Sequence, residues 1–105
     1  MELPEEVSPR EAHEAITGSQ AFLLDVREPW EWEEGRIPGA VLIPLAELPD
    51  RVAELPEDRD IYVHCRMGSR SRRAVQFLRL AGRPRAANVR GGIDAWVVAG
   101  LPVEE

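Results

Sequence analysis

Two stretches of this chain, Ala21-Phe22-Leu23-Leu24-Asp25-Val26 and Asp60-Ile61-Tyr62-Val63-His64, are apolar at almost every position rather than at every second one. A strand with one face in water alternates apolar with polar residues. Unbroken runs of this length therefore read as strands covered on both faces, the condition of a parallel sheet between helices. Helical patterns separate the runs. Ser8-Pro9-Arg10-Glu11 opens a helix with a capping serine, a proline suited to the first turn and a glutamate that completes a capping box. Ala12, Ala15 and Ile16 give that helix its apolar face, and Gly18 is expected to end it. Glu28 to Glu34 reads as a short helix closed by Gly35. Ala40-Val41-Leu42-Ile43 reads as a short buried strand. Leu45, Leu48, Val52 and Leu55 are spaced helically, with Pro49 near the start of the helix. Ala74, Phe77, Leu78 and Ala81 form a further helical stripe that stops at Gly82. Ala86-Ala87-Asn88-Val89 is a fourth strand, Ile93 to Ala99 a last helix, and a strand near Leu3 to Val7 makes five. The expected fold is α/β, one domain over residues 1–105 with a central parallel sheet of about five short strands flanked by helices.

With 105 residues, 44% of them hydrophobic, the chain has material for one core. Its single cysteine, Cys65, excludes an internal disulfide, and one Cys with two His matches no structural zinc spacing, so no metal is expected. No apolar run is long enough to span a bilayer, and Met1 to Glu6 is acidic where a secretory leader would be basic and then apolar. A soluble cytoplasmic protein is the expectation, with neither membrane nor nucleic acid as partner; no oligomeric state is assigned. The net charge of -6 is unevenly spread: residues 1 to 60 hold 16 acidic groups against 5 arginines, and residues 61 to 105 hold 8 arginines against 3 acidic groups. Cys65 lies in the basic half.

The stretch Cys65-Arg66-Met67-Gly68-Ser69-Arg70-Ser71 runs from the end of a buried strand to the start of an amphipathic helix. In an open α/β sheet ligands bind at that place, beyond the C-terminal end of a strand. Backbone N–H groups of such a loop can turn inward, and the following helix adds about half a positive charge at its N-terminus, so an anion is stabilised there. A cysteine on the rim of this cradle gains thiolate character. Arg66, Arg70, Arg72 and Arg73 are expected to reinforce the effect and steer a small dianion toward the thiol, although Arg72, Arg73 and Arg79 read equally well as a solvated helix face. Gly68 permits the tight turn. His64 adjoins Cys65 on a strand and so points to the opposite face, a structural position rather than that of a base. Asp25 and Arg27 leave the end of a neighbouring strand on the side of Cys65 and are expected to support the site. His13 reads as ordinary surface. Trp30, Trp32 and Trp96 read as packing residues, with Trp30 a candidate for the pocket mouth.

In four segments the sequence resembles the rhodanese family of sulfurtransferases. The family's Cys-Arg-x-Gly-x-Arg loop followed by Ser or Thr is matched by Cys65 to Ser71. Its early strand motif is matched by Leu24-Asp25-Val26-Arg27-Glu28, its Gly-His-Ile-Pro-Gly-Ala segment by Gly35-Arg36-Ile37-Pro38-Gly39-Ala40, and its C-terminal signature by Gly91-Gly92-Ile93-Asp94-Ala95-Trp96. The departure is Arg36 where histidine is usual, which bears on rim contacts. The resemblance implies a rhodanese-like domain and a double displacement through a Cys65 persulfide. A small anionic sulfur donor such as thiosulfate supplies the sulfur, and cyanide, a thiol or a protein cysteine accepts it. Arg66, Met67, Gly68, Ser69 and Arg70 would form the anion-binding loop, and no metal or organic cofactor would be required. Two alternatives stand beside it. A phosphatase or arsenate reductase would use a similar cysteine loop, but those place the arginine after five intervening residues, where this chain has Ser71 and its arginine comes one residue earlier as Arg70. The other is a non-catalytic interaction module of the same fold.

Overall fold

The computed structural model describes residues 3–105; Met1 and Glu2 lie outside the described residues. The strands are β1 (Glu6–Val7), β2 (Phe22–Asp25), β3 (Val41–Leu42), β4 (Ile61–His64) and β5 (Ala86–Val89). They form one five-stranded sheet in the order β1-β5-β4-β2-β3, every pairing parallel. The helices are α1 (Pro9–Gly18), α2 (Pro29–Glu34), α3 (Leu48–Arg51), α4 (Ser69–Leu80) and α5 (Gly92–Val98). This is the α/β architecture that the alternating pattern predicts.

Side chains alternate across each strand, and the core divides accordingly into two layers. Leu24, Val63 and Ala86 face Leu48, Ala74, Val75 and Leu78 of α3 and α4. Leu23, Tyr62 and Ala87 face Ala12 of α1 and Ile93 and Trp96 of α5. The central strands β2, β4 and β5 are the apolar runs read from the sequence, and all four residues of β4 and of β5 are buried.

Five local readings need correction. Gly18 belongs to α1, whose C-cap is Ser19, and the left-handed residue after it is Gln20 at φ 61°. β3 spans two residues at the sheet edge, with Val41 exposed, because only β2 pairs with it. The stretch from Leu45 to Leu55 is no single helix: α3 is flanked by 3-10 turns at Leu45–Glu47 and Val52–Glu54, and Pro49 sits in its first turn. On α4 the buried stripe is Ser71, Ala74, Val75 and Leu78, while Ala81 lies exposed beyond the helix. His13 is not plain surface either, since it packs edge-on against Trp96 at 5.5 Å between ring centres.

Candidate active site

Cys65 follows β4 directly and is 1% exposed. Its loop turns through Gly68, at φ 105°, into α4. A glycine at the helix N-cap brings no side chain to the first free N–H groups of the helix, and buried donors of this kind require an acceptor. The sulfur takes that place. Sγ lies 3.1 Å from the Gly68 N–H, 3.4 Å from the Ser71 N–H and 3.3 Å from the Ser71 hydroxyl. Burial, the largest single influence, pushes the thiol up. The Ser71 hydroxyl and the N–H groups of Ser71, Gly68 and Met67 together outweigh it and bring the thiol below its ordinary value.

The loop holds this shape because its carbonyls are taken from behind. Ile93 N–H donates to the Cys65 carbonyl at 2.9 Å and Asp94 N–H to the Arg66 carbonyl at 3.1 Å, both from the first turn of α5. With the carbonyls held outward, the N–H groups face the sulfur. This contact explains Gly92: a Cβ there would collide with the backbone carbonyl oxygens of Cys65 and Arg66.

Three of the four arginines expected to serve the loop have carboxylate partners, and the charge of Arg70 also acts on the Cys65 sulfur. Arg70 donates to both oxygens of Glu31 on α2, at 2.7 and 2.9 Å. Glu31 also accepts from the Glu28 N–H at 2.9 Å, and the Arg70 guanidinium, ahead of the opposing effect of burial, holds its carboxyl at about 2. Arg66 is exposed and lies 3.6 Å from Asp94, and Arg72 lies 3.3 Å from Glu6. Arg73 is exposed on α4. The fork of Arg70 is thus directed at a carboxylate that sequence reasoning did not single out. Glu31 was legible only as part of a short helix, and its partner is 39 residues away. Met67 is 70% exposed, and Ser69 is exposed as the first residue of α4.

Asp25 is fully buried and Arg27 nearly so, and they pair through the Arg27 Nε at 3.0 Å to each carboxylate oxygen and Nη2 at 2.8 Å. Arg27 also donates to the Gly35 carbonyl at 2.8 Å, tying the end of α2 to β2. Asp25 stands in register with His64. It therefore lies on the α1 and α5 face of the sheet, opposite the layer containing Cys65: the same end of the sheet, but not the same side. His64 Nδ1, 3.1 Å from the Cys65 carbonyl, must carry the proton of that hydrogen bond, and its Nε2 lies 3.5 Å from Asp25. Burial first of all keeps this imidazole below its ordinary value, against the opposing charge of Asp25. None of these contacts reaches Sγ.

A recess of about 330 Å³ opens beside the loop, lined by Arg27, Trp30, Glu31, Arg66 and Val97 among others. Trp30, 61% exposed, stands at its edge instead of packing inside. Arg36 is absent from the lining; it stacks on Trp32 at 5.2 Å and lies 3.8 Å from Glu104. Ser71 and Asn88, by contrast, approach the sulfur or its partner, although the sequence marks them only as a motif residue and a strand residue. A polar Asn inside the apolar run Ala86–Val89 was the available signal.

Comparison with known proteins matches this fold. The family model described as "Rhodanese-like domain" matches residues 8–99. A protein of Allochromatium vinosum named sulfurtransferase is 44% identical over 82 residues, 78% of this chain and 77% of that one. The putative sulfur carrier protein YrkF of Bacillus subtilis is 42% identical over 74 residues, which are 70% of this chain but 40% of that protein. The crystal structure of a rhodanese-related protein from Thermoplasma volcanium superposes with a TM-score of 0.88 at 35% identity, covering 96% of this chain and 98% of that one.

Proposed function

This chain belongs to the rhodanese family, and on that premise we propose that it is a sulfurtransferase carrying sulfane sulfur as a persulfide on Cys65. The observation that carries the reading is the set of donors converging on Sγ from Gly68 and Ser71. They stabilise an anionic sulfur without a metal or a general base. In the first step the thiolate attacks the outer sulfur of thiosulfate or a similar donor. A new S–S bond forms, the donor's S–S bond breaks, and sulfite leaves with the electron pair. In the second step cyanide, a thiol or a protein cysteine attacks the outer sulfur, and Cys65 departs as thiolate. Its lowered proton affinity aids departure as much as attack.

The charged residues set the frame around this chemistry. Glu31 fixes Arg70 at the loop, and Asp25 with Arg27 fixes the strand end below it. Cys65 itself is not on the wall of the recess, whereas the persulfide reaches about 2 Å further than the thiol. Arg66, Met67 and Trp30, exposed around the loop, are the residues an acceptor would meet. A cytoplasmic setting suits a free thiol that has to stay reduced between turnovers.

The test is mass spectrometry after thiosulfate treatment. The expected result is a gain of about 32 Da that is lost on adding cyanide and never forms in Cys65→Ser. An unmodified chain across several donors would leave the interaction-module reading, and comparable turnover of an aryl phosphate would favour the phosphatase.

A further inference from the structure

The hydroxyl of Ser71 has two neighbours and a single proton. Its oxygen is 3.3 Å from Cys65 Sγ and 2.5 Å from Asn88 Oδ1. Which neighbour receives the proton is decided by the other end of the Asn88 amide. Nδ2 lies 3.0 Å from Glu6 Oε2 and 3.4 Å from the Gly68 carbonyl, two groups that only accept. Turning the amide over would set Oδ1 against both. Glu6 stays ionised, since hydrogen bonds from Arg90 foremost, then Asn88 and Arg72, hold its carboxyl below the ordinary value. Asn88 is itself 2% exposed, so water does not relieve the arrangement. Oδ1 must therefore face Ser71 and accept from it.

We propose that Asn88 is a positioning residue that sets how readily Cys65 gives up its proton, by competing with the sulfur for the one hydroxyl proton of Ser71. The inference rests on Cys65 being the nucleophile and deepens that reading. With Cys65 as a thiol, the S–H donates to Ser71 and Ser71 donates to Asn88, so every group is satisfied. With Cys65 as a thiolate, one partner goes without. Either the hydroxyl proton stays on Asn88 and an oxygen lone pair faces the anion, or it swings to the sulfur and leaves two unprotonated acceptors in contact. Asn88 thus favours the thiol, while the Gly68 and Ser71 N–H groups favour the thiolate. A thiol poised near ambient pH attacks faster than a fully ionised one of low basicity, so the opposition serves both halves of the reaction.

The other charged groups around the loop are engaged elsewhere. Arg70 is held by Glu31 of α2, and Arg66 lies by Asp94 of α5. Arg27 and His64 lie by Asp25 of β2, and Arg72 and Arg90 by Glu6 of β1. None of these pairs touches the Ser71 hydroxyl.

Cys65 is the only cysteine, so the pH midpoint of its alkylation by iodoacetamide follows the ionisation of one thiol. In Asn88→Ala the midpoint should fall by about 0.5–1 pH unit, because the hydroxyl is freed for the sulfur. In the Ser71→Ala background the hydroxyl that links Asn88 to the sulfur is gone, so the same substitution should change nothing and the double variant should match Ser71→Ala. A midpoint in Asn88→Ala that is unchanged or higher, or a double variant displaced by the full Asn88→Ala effect, overturns the proposal. The unmodified protein supplies a second test free of folding effects. The carbon-13 signal of the Asn88 side-chain carbonyl should titrate with the Cys65 midpoint and stay constant in Cys65→Ser; a signal flat through the wild-type titration sinks the idea. Neither readout requires sulfur transfer, so failure to form a persulfide and failure of the Asn88 competition are separate results.

Discussion

Around the Cys65 sulfur the polar groups are neutral: the N–H groups of Gly68 and Ser71, and the Ser71 hydroxyl whose proton Asn88 contests. Further out the groups are charged, and they are paired with one another: Arg70 with Glu31, Arg27 with Asp25, Arg66 with Asp94. The contrast separates two tasks. Neutral backbone donors fixed by a helix start stabilise an anion at any ionic strength and cannot be neutralised by a counter-ion. Charged pairs hold elements together, α2 to the loop and β2 to the end of α2, and each carboxylate offsets part of its arginine's field, although the charge of Arg70 still reaches the Cys65 sulfur. The arginine-rich half of the sequence suggests electrostatic steering; in the fold most of that charge meets a carboxylate from the acidic half.

The sharpest way to break the inner region is Cys65→Ser, which should abolish persulfide formation and sulfur transfer altogether while leaving the fold intact by circular dichroism. The largest effect on the outer region should come from Asp25→Ala. It strands the Arg27 guanidinium in a buried site, and denaturant unfolding should show a loss of about 3–5 kcal/mol. Gly92→Ala comes next, since its Cβ strikes the loop carbonyls. A destabilisation of about 1–3 kcal/mol is expected, together with a rise in the Cys65 alkylation midpoint as the N–H groups lose their aim. Glu31 separates the two regions by pH. Its carboxyl is held at about 2 in the fold against 4.5 when free, so its contribution is present above pH 4.5 and lost as pH falls through 2. Thermal melts from pH 5 to pH 2 should therefore show a steeper decline for the wild type than for Glu31→Gln. Smallest is the effect of salt. If the outer charges cancel, raising ionic strength should alter kcat/KM for thiosulfate by no more than about threefold, whereas a strong decline would restore the steering role of the arginines.

What could be read from the sequence was local or repeated. The capping box at Ser8 and Glu11, the apolar runs of β2, β4 and β5, and the loop from Cys65 to Arg70 each declare themselves within a few residues. The edge strand β3 was overestimated because a short apolar run does not say whether it has one neighbour or two. Glu31 and Asn88 escaped because their meaning lies in partners 39 and 17 residues away, Arg70 and Ser71, and spacing along a chain does not encode such meetings. Asp25 lies across the sheet from its expected side for a related reason: proximity to a strand end fixes depth along the sheet but not parity across it. Arg36 shows the same limit, since its motif position suggests a pocket rim while its contacts are with Trp32 and Glu104.

The two N–H groups with which α5 grips the loop, those of Ile93 and Asp94, have a use beyond geometry. Their protons are sheltered by the Cys65 and Arg66 carbonyls, so they exchange with deuterium only when the loop lifts away or the whole chain unfolds. The ratio of their exchange rates to those of the β4 amides therefore gives the free energy of loop opening separately from that of global unfolding. A persulfide or bound donor that tightens the loop would slow exchange at two residues nearly thirty positions along the chain from the sulfur, and so report each half of the catalytic cycle without a label on the cysteine.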